Sequence, residues 1–301
     1  MARILLTKLV TYMERRKTMR KMLLIFSMIF FLAPNIFAYT VGGASSTITP
    51  GSGGWGWNLG FMSEFRDALE NPTFFGPGGV VEESIDTVTL NTINTTTLSG
   101  VDMFIGGWVS DNDALAFSPA VQTFFLGGGD LFLLQDDPGH DALGTMLGIS
   151  TTPSAGTVSN GGFPFFDGSF GIANDVTQHY LTGQLDPLAI SNNNGNVVGT
   201  NESGQVTSAY WAAGEYAVGA GALFIIADID MIATTSAGGG LFNGAIYGNN
   251  LSDLNDNAIY ALNTFAFLKD GEEIAPVPEP ATIILLGGGL AGLAFYRRKR
   301  K

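Results

Sequence analysis

The 301-residue chain has no cysteine and only two histidines, His140 and His179. The first absence excludes disulfides, thiolate metal sites and a cysteine nucleophile. Basic residues are nearly missing from the middle. Between Tyr39 and Pro278 only Arg66 and Lys269 are basic, against 25 Asp and Glu, a net charge of −23. A segment this acidic repels phosphate backbones, so nucleic acid is excluded as a partner, while cations and neutral polymers such as polysaccharide are not. Also absent are the G-x-S-x-G elbow of serine hydrolases, a D-x-D-x-D-G calcium loop and any repeat of fixed period. The glycine clusters at 127–129 and 219–221 are not phosphate loops, because the first follows a helical stretch and the second precedes an apolar run.

The charge that the middle lacks is gathered at the two ends. Before Tyr39 there are seven Lys and Arg and one acid, Glu14. Within that segment "MRKMLLIFSMIFFLAPNIFA" runs from Arg20 and Lys21 through an apolar stretch to Pro34 and the small residue Ala38. This is the order of a secretory signal peptide, read here as residues 1–38, with signal peptidase cutting after Ala38. The long stretch ahead of the apolar run leaves Met19 open as the true start. At the other end, Ala281 to Tyr296 carries no charge. This is slightly short for a spanning helix, but with flanking aliphatic stems it reaches across a thin bilayer. Arg297, Arg298, Lys299, Arg300 and Lys301 follow, and such a basic cluster stays cytoplasmic, which places the acidic middle outside. Gly288 and Gly292 form a G-x-x-x-G pair suited to helix packing.

"VPEP", an apolar Gly-rich run and a basic terminus, in that order and behind an export signal, resemble the PEP-CTERM sorting signal of Gram-negative bacteria that make exopolysaccharide. The resemblance implies processing by exosortase near Pro278, Glu279 and Pro280. It further implies passage across the inner membrane, a hold by helix 281–296, and then residence at the cell surface or in the extracellular matrix. The three motif residues and the basic cluster are then substrate, and no residue is assigned a catalytic role.

The middle, 39–268, reads as one domain followed by a linker at 269–277. "NLGFMSEFRDALENP" puts Phe61, Phe65, Ala68 and Leu69 on one helix face and stops at Asn71-Pro72. "VVEESIDTVTL" and "VDMFIGGW" read as strands on either side of a Thr-rich turn. In "SPAVQTFFLGGGDLFLLQDD", Ser118 is a candidate N-cap, Pro119 opens the helix, Val121, Phe124 and Phe125 share a face, Gly127 ends it, and a fully apolar strand follows. Two apolar strands around a helix form a βαβ unit and a parallel sheet covered on both faces. "HDALGTMLGI" reads as a short helix, 150–204 as loop or inserted hairpins, "GALFIIADIDMI" as a buried strand, and "NDNAIYALNTFAFLKDG" as a closing helix with Ile259, Leu262, Phe265 and Ala266 on one face.

The stretches "VDMFIGG", "FFLGGGDLFLLQDD" and "GALFIIADIDMI" with "DNAIYALNTFAFL" make the middle similar to class I glutamine amidotransferase-like, flavodoxin-like domains. The implied fold is an α/β domain with a mostly parallel sheet, and the alternative is a β-sandwich. The chain departs from that family where chemistry matters. The turn after "LFLLQ", where those enzymes carry their cysteine, reads "DDPGH", and "ADID" stands where their histidine is expected. The first strand is poorly defined, with only "SSTITP" available. The expectation is therefore the fold without the activity, in an exported, non-enzymatic surface protein. A carbohydrate-binding matrix protein and a polysaccharide hydrolase remain as alternatives.

Candidate chemistry gathers at the strand ends, where open α/β sheets bind ligands. Asp111 and Asp113, Asp136 and Asp137, and Asp228 and Asp230 meet at one edge if their three strands are parallel neighbours, and such oxygen ligands suit Ca²⁺ or Mg²⁺. Solvated acidic turns are the plainer reading. His140, among Asp136, Asp137 and Asp141, is either a catalytic base or a turn histidine, and His179 has no context. Trp55 and Trp57, in a Gly-rich loop, either stack on sugar rings or close the core.

Overall fold

The structure is a computed structural model that describes residues 38–156, 158–162, 164–177, 183–233 and 254–270. The compact unit that holds them begins at Tyr39. The segments assigned to the signal peptide before Ala38, His179, the linker beyond residue 270, the helix at 281–296 and the sorting residues all lie outside the described residues.

The central sheet is mixed, and its inner part is parallel. Strands β1 (Tyr39–Ala44), β2 (Ile85–Leu90), β3 (Met103–Gly106) and β4 (Asp130–Leu134) precede three later ones, β5 (Asn196–Asn201), β6 (Val206–Trp211) and β7 (Leu223–Ile226). Their spatial order is β2-β1-β3-β4-β7-β6-β5. The five from β2 to β7 are mutually parallel, with Phe104 beside Leu131 and Phe132 beside Phe224 in register. Beyond β7 the neighbours turn antiparallel, and short strands at Val158–Gly161 and Val176–Thr177 extend that wing. The described part of 150–204 thus supplies antiparallel strands to the same sheet, a separate small hairpin of Asp167–Gly168 with Gly171–Ile172, and the short helix α6 (Pro187–Asn192) capped by Asp186. The β-sandwich alternative fails, because parallel neighbours require crossovers, and these carry helices.

Each inner strand is apolar on both faces because both are covered. Met103, Ile105, Phe132, Leu134, Phe224 and Ile226 point to one layer, which holds α1 (Ser63–Leu69) and the closing helix α7 (Asp256–Asp270). Phe104, Leu131, Leu133, Leu223 and Ile225 point to the other, which holds α4 (Ser118–Leu126). In α1, Phe65, Ala68 and Leu69 are buried as their spacing requires, and Phe61 is half-buried. In α7, Leu262, Phe265 and Ala266 are buried and Ile259 is partly so. This helix runs on to Asp270, so Lys269 and Asp270 belong to the domain and not to the linker. The Lys269 ammonium holds Glu83 at 2.7 Å.

Three expectations need correction. The first strand is Tyr39–Ala44, inside the sheet between β2 and β3, and "SSTITP" is the turn that follows it. Glycines hid it: a Cβ on Gly43 would lie 2.2 Å from the Trp57 ring, so the strand carries no side chain where the indole sits. Second, Ser118 is the first residue of α4 and caps nothing; Phe117 stands at the cap and Pro119 inside the first turn. On this helix Val121 and Phe125 are buried, while Phe124 is half-buried with its ring over Gly129. Third, the Thr-rich turn contains a helix, α2 (Thr95–Leu98). Its cap is reciprocal: Asn94 Oδ1 accepts from the amides of Thr96 and Thr97 at 2.9 and 3.0 Å, and the Thr97 hydroxyl accepts from the Asn94 amide.

Candidate functional site

The carboxyl ends of β1, β3, β4 and β7 form one edge, and the turns that leave them carry the polar residues. After β3 the chain passes Gly106, where a Cβ would strike Leu143 at 2.7 Å, to Trp108. After β4 it passes the buried Gln135 and Asp136 to His140. The Trp108 and His140 rings stack, with centroids 3.5 Å apart and planes 14° from parallel. His140 Nδ1 lies 2.9 Å from Asp137 Oδ1, which also accepts from the Gly139 amide at 2.7 Å. His140 is therefore a held histidine and not a solvated one. After β1, Trp57 is buried at 3% exposure and closes the core, whereas Trp55 stays half-buried, stacked on Phe61 at 4.3 Å and 6.0 Å from Trp108.

The six acids do end three neighbouring strands, β3, β4 and β7, yet most are occupied with their own backbone. Asp111 Oδ1 accepts from the amides of Asp141 and Ala142 at 3.1 and 2.9 Å and ties the β3 turn to the β4 turn. Asp113 Oδ2 accepts from the Gly51 amide at 2.8 Å. Asp228, fully buried, accepts from the Asp230 amide at 2.9 Å and caps a short 3₁₀ turn, Ile229–Met231. A cation needs several converging oxygens. Among the described residues no three His, Asp or Glu side chains gather in that way.

Asp136 and Asp230 stand apart from the rest. Asp136 is 9% exposed, and its Oδ1 has no hydrogen-bond partner. Burial first, then the Asp230 charge and then that of Asp137, push its carboxyl up to about 7. The Trp108 indole N–H favours the charged form but closes no hydrogen bond of normal geometry, since its own nitrogen is also without a partner. Asp230, 5% exposed, is raised to about 6 by burial. Near neutrality Asp136 is thus only partly ionised beside the Asp230 carboxylate, because like charges in a buried site cannot both ionise cheaply. A carboxylic acid kept neutral can donate a hydrogen bond, but it needs something within reach. Two cavities at this edge, one touching Gly107, Gln135 and His140 and one touching Trp55, Trp57 and Gly107, are about 10 Å³ each, room for a single water.

Sequence patterns did not single out Trp108, although an indole just past the Gly-Gly end of an apolar strand is a legible signal. Its partner His140 was visible only as an isolated ring. On the opposite edge lies another unforeseen pair. The Tyr39 hydroxyl donates to Asp130 Oδ2 at 2.6 Å, and burial lifts Asp130 to about 6 although this bond and one from the Ala222 amide pull it down.

The remaining chemistry is carried by the tail. Residues 276–301 match the PEP-CTERM protein-sorting motif. The motif implies export, membrane anchoring at the C-terminus and exosortase processing. No curated protein is significantly similar to the chain. Among solved structures, the mmIFT52 N-terminal domain is 14% identical, with 79% of this chain and 99% of that one covered at a TM-score of 0.46. A glutamine amidotransferase from Thermotoga maritima is 12% identical over 78% of this chain and 95% of its own, at 0.37. A GMP synthase-type protein from Thermoplasma acidophilum is 13% identical over 78% and 98%, at 0.40. All three TM-scores are below 0.5, so the α/β architecture rests on the strand order and register given above. Among the described residues no helix is long and apolar enough to cross a membrane, and the apolar stretch of the sorting motif lies outside them.

Proposed function

We propose that the chain is a non-enzymatic, exported protein of the cell surface or extracellular matrix, held by its C-terminal segment until exosortase cuts near Pro278, Glu279 and Pro280, and associated with exopolysaccharide. The observation that carries this reading is the sorting motif at 276–301. Its absence of enzymatic activity is supported by the chemistry of the sheet edge. The chain has no cysteine for the turn after β4, the acids there mostly brace backbone, and the two cavities beside them hold no more than a water. The decisive test is mass spectrometry of the C-terminus after expression with and without an exosortase. Loss of the residues beyond the Pro-Glu-Pro only when the enzyme is present supports the reading, and an intact C-terminus in its presence overturns it. Glutaminase and polysaccharide-hydrolysis assays on 39–276 are expected to show no turnover. Any turnover that Asp136→Ala, Asp137→Ala or Asp228→Ala abolishes would install the hydrolase instead.

One observation favours a second reading, direct carbohydrate binding: Trp55 and Trp108 are both half-buried and 6.0 Å apart at the ligand edge. Stacking on sugar rings would use those faces. Retention on the native exopolysaccharide that is lost in Trp55→Ala, with the melting temperature kept, would establish it.

A further inference from the structure

We infer that the amino-terminal edge of the sheet faces the membrane while the tail is held, so that the Trp55–Trp108–His140 edge points outward. The inference rests on the anchored reading above. It starts from where the domain's two ends lie. Tyr39, the first residue after the proposed signal cut, opens β1 at that edge, with its amide donating to the Ser84 carbonyl at 3.0 Å and its ring against Phe265. Helix α7 begins at the opposite edge, where the Asn257 side chain donates to the Met231 carbonyl at 2.9 Å beyond β7. It ends beside Tyr39, where Lys269 meets Glu83, the residue before Ser84. Both the export signal and the sorting tail therefore leave from one edge.

The tether is short. Only residues 271–277 separate α7 from the Pro-Glu-Pro, and seven residues span at most about 25 Å. The six-residue strand β1 puts the two edges about 20 Å apart, whereas a flexible seven-residue tether spans about 15 Å on average, so the far edge meets the lipid only when the tether is stretched nearly to its limit. The near edge is also acidic, with Glu83, Asp102, Asp130 and Asp270 around the single Lys269. The far edge is acidic too, so charge does not select between the edges, and the orientation rests on where the tether leaves the domain.

The absence of native cysteine makes the test direct. Val218, fully exposed in the turn before β7, lies at the near edge, and Leu115, 68% exposed after β3, at the far one. Each is replaced by Cys in the full chain, reconstituted in lipid vesicles, and in a chain ending at 276, and both are labelled with a polymer-bearing maleimide. The expected result is that Leu115→Cys labels at the same rate in both chains, whereas Val218→Cys labels several-fold more slowly in the full chain. Equal slowing at both positions, or none at either, overturns the orientation while leaving the anchor intact. A full chain recovered in the soluble fraction overturns the anchored reading itself, and this inference with it. Matched melting temperatures of the variants exclude misfolding as the cause.

Discussion

Replacing Asp136 by Asn should remove the largest single part of the pH dependence of the domain's stability near neutrality, to which Asp230 and Asp130 also contribute. In the folded state the carboxyl titrates at about 7, because burial and the Asp230 charge disfavour its ionised form. In the unfolded chain it titrates near 4, so the gap is about three units, worth on the order of 4 kcal/mol as an upper bound. The sign follows from proton counting: between pH 4 and 7 the folded state holds more protons than the unfolded one. The contribution is complete below about pH 4 and is lost as pH rises through 7. Between pH 5 and pH 8 the wild-type domain should lose about 3 kcal/mol from this group, with Asp230, raised to about 6, adding to the same slope. Self-repulsion of the acidic segment acts in the same direction, which is why the comparison must be with Asp136→Asn and not with theory alone. Urea unfolding of residues 39–276 at pH 5, 6, 7 and 8 measures it. The variant should be the more stable protein at pH 8 and lose about 2 to 3 kcal/mol less than wild type across the range. Parallel curves for the two proteins would show that the carboxyl is solvated or paired in the fold, and would refute the buried-acid reading.

Gly43→Ala should be among the most damaging single changes, because its methyl would lie 2.2 Å from the Trp57 ring in a strand paired on both sides. A loss of about 3 kcal/mol or more is expected by thermal or urea unfolding, and a change within 0.5 kcal/mol would contradict the packing. Asn94→Ala removes the reciprocal cap of α2 and should cost about 1 kcal/mol, with no change in the far-ultraviolet signature of the rest of the domain. Tyr39→Phe deletes the hydroxyl that donates to Asp130 and should cost about 1 to 3 kcal/mol at pH 8. That cost should shrink toward pH 5, because Asp130, already raised to about 6, is then protonated and no longer needs the donor. A cost independent of pH would show that the hydroxyl bond is indifferent to the charge on Asp130, and would refute the charge-assisted reading.

The elements that were legible in the sequence are those whose burial is complete and whose side chains are uniformly apolar. β3, β4 and β7 each present a short run of Leu, Ile and Phe, and a strand covered on both faces has no other signature. α4 was legible through Pro119 and Gly127, and α7 through its apolar spacing. β1 and β6 were not legible, for opposite reasons. β1 gives up side chains at Gly42 and Gly43 so that neighbours can approach, and β6 buries Thr207 and Ser208 at 0% exposure, which reads as polar. In both, the partner that makes the residue sensible is distant in the chain: Trp57 for Gly43, and Ser159, hydrogen-bonded to Thr207, for β6. The acids of the candidate site were visible as endings of apolar runs. Which of them would be strained was not, since Asp136 differs from Asp111 only in lacking backbone donors around it.

The sequence by itself determined the sorting motif: the Pro-Glu-Pro, the uncharged run behind it and the basic terminus are local patterns, and none needs a fold to be recognised. It also determined that the middle would form an α/β sheet, because continuous apolar strands have to be covered twice. Only the tertiary structure decided that Tyr39 opens a strand between β2 and β3, that Trp108 and His140 stack, and that Asp136 and Asp230 share a buried corner. Those facts depend on which strands become neighbours, and adjacency across the sheet is set by the packing of the whole core.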